Sequence, residues 1–73
     1  MTIEVAKEKI ADILEVDQTE IEEDKVLSDF DTWDSIAVLA VISVVGEERG
    51  VFLHANEIGK IKTVKELIQL LMG

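Results

Sequence analysis

Seventy-three residues allow one domain with a small core, and the absence of Cys removes disulfides and thiolate metal sites as staples. A formal net charge of −9 excludes nucleic acid, which needs Lys and Arg to displace counterions, and disfavours an anionic membrane while attracting partners with basic patches. Disorder is excluded in turn, because Ile, Leu and Val occupy 25 positions, enough for a compact helical bundle.

Met1 to Ile10 alternates charged and apolar residues and has no hydrophobic stretch, so no signal peptide is expected. The longest uncharged run, Ser35 to Gly46, is too short to span a bilayer. A cytoplasmic protein, a monomer without membrane insertion, is the simplest expectation.

Residues 3–15 read as a first helix. Ile3, Ala6, Ile10, Ile13 and Leu14 fall at helical spacing, Glu4, Lys7, Glu8, Lys9 and Asp12 fill the other face, and Thr2 is placed to cap it. Residues 16–34 form a long acidic connection. Ten acids lie from Asp12 to Asp34 against a single Lys25, and Val16, Ile21, Val26, Leu27 and Phe30 interrupt them. So long a loop with regular apolar residues is expected to be pinned to the core.

Residues 35–49 read as a second helix. Their β-branched content also suits a buried strand, but the run is long for one and contains two Ala residues. Val38, Leu39, Ile42 and Val45 give its expected core stripe. Residues 50–62 are mostly loop, with one short turn near Asn56 to Gly59. Residues 63–71 form the last helix, opened by Thr63 and Glu66 at capping-box spacing, with Val64, Leu67, Ile68 and Leu71 on its apolar face. The fold class is all-α: a four-helix bundle of three main helices and one short one, a single domain over residues 1–73. The expected core is Val38, Leu39, Ile42, Val45, Phe52, Leu67 and Leu71.

The segment Phe30-Asp31-Thr32-Trp33-Asp34-Ser35-Ile36 ends the acidic loop and opens the second helix. Ser35 would present its hydroxyl at the positive end of the helix dipole, where free N–H groups favour a phosphate. Asp34 would cap the helix. On their own these two residues are equally ordinary helix-start residues. No nucleophile–base pairing is suggested anywhere, so no catalytic residues are assigned, and His54 reads as a loop or helix-start residue. The acids from Asp17 onward fail as a calcium loop: Asp17-Gln18-Thr19-Glu20-Ile21-Glu22 lacks the Gly at the sixth position and the ligand spacing. No metal site is expected.

The whole chain resembles the acyl carrier protein family. Asp34-Ser35-Ile36 is similar to the Asp-Ser-Leu motif that opens that family's second helix. Ile13-Leu14-x-Val16-Asp17, followed by Ile21, Asp24 and Leu27, resembles its first-helix end and loop. Glu47-Glu48-Arg49-Gly50-Val51 resembles the end of its second helix, and Lys60-Ile61-Lys62-Thr63-Val64-x-x-Leu67 its entry to the last. The resemblance implies that Ser35 receives 4′-phosphopantetheine from coenzyme A, with Asp34 and Ile36 helping a phosphopantetheinyl transferase recognise it. It implies a non-enzymatic carrier of acyl thioesters, whose thiol comes from the prosthetic arm rather than from a Cys of the chain. Partners would be that transferase, an acyl- or aminoacyl-loading ligase or transferase, and downstream biosynthetic enzymes.

Two departures bear on the pathway. Trp33 before Asp-Ser is more like stand-alone carriers of specialised lipid, polyketide or secondary-metabolite pathways than fatty-acid-synthesis carriers; it serves to close the bundle, to meet a partner, or both. Ala37 and Ala40 stand where that family often has acids, and Glu47 keeps one. Ile36, Ala37, Ala40, Val44 and Glu47, with Trp33, are therefore expected to form a docking face that relies on shape more than charge. The alternatives are an aminoacyl or peptidyl carrier, and an unmodified helical interaction module.

Overall fold

Thr2 opens the chain's first helix as expected: its Oγ1 accepts from the Val5 N–H at 3.1 Å. The computed structural model describes all residues, Met1–Gly73. Helix α1 runs Ile3–Leu14, α2 Ser35–Arg49, α3 Ala55–Ile58 and α4 Val64–Met72. No strands form. The expected four-helix, all-α fold is present, with α4 packed on α1 and α2, α1 on α2, and α3 on α2.

Glu15 ends α1 in the left-handed conformation at φ 57°, where Gly is the usual residue because a Cβ is disfavoured there. Gly50, at φ 65°, ends α2 without that cost. At α4, the Thr63 side chain accepts from the Glu66 N–H at 3.2 Å, and the Glu66 carboxylate accepts from the Thr63 N–H at 3.1 Å. The backbone N–H groups of Lys62 and Thr63, and the Thr63 hydroxyl, all donate to the Glu66 carboxylate and hold the carboxyl below its ordinary value.

The acidic connection is pinned, and the means are visible. Short 3₁₀ turns occupy Gln18–Glu20 and Leu27–Asp29, and Ile21 and Leu27 are buried. The Leu27 N–H donates to the Lys62 carbonyl at 2.8 Å, and the Val64 N–H donates to the Lys25 carbonyl at 3.0 Å. This short antiparallel bridge, Val26 opposite Thr63, ties the loop to the entry of α4.

The core gathers Ala6, Ile10, Ala11 and Leu14 of α1, Ala37, Val41 and Val45 of α2, Ile58 of α3, and Val64, Leu67, Ile68 and Leu71 of α4, with Ile21 and Leu27 from the loop. Each large member contributes about 1.5–3 kcal/mol by leaving water. Leu67, Leu71 and Val45 lie where the sequence puts them. Val38 and Ile42 flank the core half-buried, whereas Leu39 is 62% and Phe52 77% exposed. The reason for the difference is phase. Nearly every position from Ile36 to Val45 is apolar, so the pattern does not say which stripe turns inward. The row Ala37–Val41–Val45 has small side chains that let α2 approach its neighbours closely, and this row is the one buried.

Candidate functional site

Ser35 is the first residue of α2, and its side chain is exposed. Asp34 stands before it in extended conformation and caps the helix. Its Oδ1 accepts from the Ile36 N–H at 3.1 Å and the Ala37 N–H at 3.0 Å. This corrects one expectation. Two of the four N–H groups that a helix start leaves free are taken by the Asp34 carboxylate, so those of Asp34 and Ser35, with the helix dipole, remain to meet a phosphate.

The approach to Ser35 is held at several points. Phe30 and Trp33 are half-buried against the core, and the Trp33 N–H donates to the Phe30 carbonyl at 3.0 Å. Between them the Thr32 hydroxyl donates to the Leu14 carbonyl at 2.6 Å, joining the loop to the end of α1. Beside Ser35 lies an open depression of about 180 Å³ lined by Ile13, Glu15, Thr32, Asp34, Ile36 and Ala37. A second hollow of about 320 Å³ lies between Trp33, the loop at Val26 to Ser28, and Gly59, Ile61 and Lys62. Trp33 thus closes the bundle and also borders an accessible hollow.

Of the residues expected on the docking face, Ile36 is 75% exposed, and Glu47 is exposed too. Ala40 and Val44 are half-buried, and Val44 packs against the core. Ala37 is only 3% exposed and belongs to the core row, so it cannot meet a partner. The face α2 turns outward is Ile36, Leu39, Ser43 and Glu47, spaced three and four apart. Leu39 is the residue that sequence reasoning missed here, having assigned it to the core; its spacing of three from Ile36 was the available signal. His54 sits at the start of α3, where its N–H donates to the Glu57 carboxylate at 2.8 Å and its ring meets Phe52 edge-on at 5.4 Å. No helix is long and apolar enough to cross a membrane.

The site is thus an exposed Ser hydroxyl at the positive end of a helix, after a turn that is capped by Asp34 and tied to the end of α1. Residues 4–71 match the family of the phosphopantetheine attachment site, and the chain belongs to that family. The chain matches no curated protein and no solved structure. Its prosthetic group is 4′-phosphopantetheine, and the protein is a phosphopantetheine-bearing carrier. Domains of this kind work with transferases and biosynthetic enzymes, and they typically hold cargo rather than catalyse.

Proposed function

We propose that this protein carries acyl intermediates as thioesters on a 4′-phosphopantetheine arm attached to Ser35. It would act in the cytoplasm, in a specialised lipid, polyketide or secondary-metabolite pathway, as a single carrier domain. In loading, the Ser35 Oγ–phosphorus bond forms as the pyrophosphate bond of coenzyme A breaks. Adenosine 3′,5′-bisphosphate leaves, and the hydroxyl proton passes to a base of the transferase. The arm supplies the thiol that the chain lacks. The observation that carries this reading is the exposed Ser35 at the capped start of α2, within a family match over residues 4–71.

Asp34 and Ile36 are proposed as transferase-recognition residues. Asp34 holds the helix start, and Ile36, the residue after Ser35, stands largely in solvent. The docking face is proposed as Ile36, Leu39 and Glu47 with the half-buried Ala40 and Val44 at its side. Ile36 and Leu39 leave this face without charge at its centre, which suits a partner that recognises shape. The net charge of −9 disfavours self-association and supports a monomer.

The test is the intact mass after incubation with coenzyme A, magnesium and several phosphopantetheinyl transferases. One added phosphopantetheinyl group in the native protein, and none in Ser35→Ala, is expected. No gain in a folded, initially unmodified protein would overturn the reading in favour of an unmodified interaction module. Offering the loaded arm to acyl and to aminoacyl ligases then separates an acyl carrier from an aminoacyl or peptidyl carrier.

A further inference from the structure

We propose that Thr32 is a positioning residue for the modification of Ser35, acting by fastening the turn before α2 to the end of α1. The proposal rests on the reading of Ser35 as the attachment site. The Thr32 hydroxyl donates to the Leu14 carbonyl at 2.6 Å across 18 residues of sequence, and the contact is partly buried. Leu14 is the last residue of α1, and its carbonyl is among those a helix end leaves without an intrahelical partner. Glu15 turns there into the left-handed conformation, at φ 57°, and the chain leaves in another direction. A hydroxyl arriving from the loop satisfies that carbonyl.

The consequence falls on Ser35. Thr32 and Trp33 are the two residues before Asp34. Trp33 packs against the core, and its backbone hydrogen bond to Phe30 stays within the turn. The hydrogen bond from Thr32 is directional and is what ties the turn to α1. Asp34 then stays where its Oδ1 reaches the N–H groups of Ile36 and Ala37, and the backbone that presents the Ser35 hydroxyl keeps its place relative to α1. In-line transfer depends on such alignment, and a shift of about 1 Å in a reacting group can cost about a hundredfold in rate.

The experiment measures transferase kinetics with the full chain as variable substrate, following mass gain with coenzyme A. Thr32→Val keeps the shape and removes the hydroxyl; Thr32→Ser keeps the hydroxyl. The expected result for Thr32→Val is a kcat lower by about tenfold with KM within about twofold, because alignment rather than docking is lost. Thr32→Ser restores kcat. Rates are read well below the melting temperature of each variant, so a loss of stability alone does not move them. If Thr32→Val does not fold, Thr32→Ala carries the same expectations. An unchanged kcat, a change confined to KM, or a Thr32→Ser variant as slow as Thr32→Val would overturn the proposal. Wild-type protein that gains no mass would instead overturn the assignment of Ser35, so the two failures are distinguishable.

Discussion

Helices α2 and α4 are both rich in apolar residues, yet they dispose of them in opposite ways. In α4, Val64, Leu67, Ile68 and Leu71 are all buried, while Lys65, Glu66 and Gln69 face water. In α2, only Ala37, Val41 and Val45 are fully buried, while Ile36 and Leu39 stand largely in solvent. The first pattern is what a helix needs to hold a bundle together. The second exceeds that need, and the excess lies within about one turn of Ser35, the proposed attachment residue. Large apolar side chains kept in water there are what the proposed docking face rests on, since a partner would supply the missing contacts.

Substitution at matched positions should break the comparison most sharply. Leu67→Ala in α4 is expected to cost about 2–5 kcal/mol, a large share of the stability of so small a domain. Leu39→Asp in α2 should change stability by only about 0.5 kcal/mol. The same Leu39→Asp should raise the KM for loading by about tenfold or more, because a carboxylate is forced against an apolar partner surface. Denaturant melts and loading kinetics on both variants check this; equal stability losses would show that Leu39 packs after all.

The helix starts give a smaller contrast. Thr63→Ala should lose about 1 kcal/mol of stability and leave loading untouched. Asp34→Ala should lose a similar amount of stability, since its Oδ1 caps two N–H groups, and should also slow loading, since Asp34 adjoins Ser35. Chemical denaturation beside the mass assay separates the two effects.

The smallest effect is one of pH. Glu66 has its folded pKa lowered by the N–H groups of Lys62 and Thr63, and Asp17 has its own lowered by the Thr19 N–H and hydroxyl. A group lowered on folding contributes stability that is present above its unfolded pKa and is lost as pH falls through the folded value. The contribution of Glu66 is therefore complete at neutral pH and disappears in the acid range, below about pH 4.5. Relief of repulsion among the other acids acts in the opposite direction. Glu66→Gln should accordingly lose less stability than wild type between neutral and acid pH, as followed by thermal melts. Parallel pH curves for the two proteins would show that the α4 cap carries no charge-dependent contribution.

How far each region could be read in advance follows from its contrast. The limits of α4, its capping box and its buried face were legible because Val64, Leu67, Ile68 and Leu71 alternate with charged and polar residues. The span of α2 was legible from Asp34 and Gly50, but its rotation was not. Leu39 was assigned to the core and Ala37 to the surface, and each lies on the other side. Phe52 misled for a related reason. A large aromatic in a loop suggests burial, yet α3 supplies Ile58 to the core and leaves Phe52 outside against His54. The link from Thr32 to Leu14 had no sequence signal, because its partner is a backbone carbonyl 18 residues away.

The sequence by itself determined the helical class, the element order and the acidic surface, and it singled out Ser35 as the residue on which the proposed carrier function rests. Those properties are local: a cap, a period, a charge count or a short motif. Tertiary structure alone decided which row of α2 turns inward, which apolar residues remain for a partner, and how the turn before Ser35 is held. Those depend on the distance between chain segments remote in sequence, and a uniformly apolar helix takes its orientation from its neighbours rather than from its own pattern.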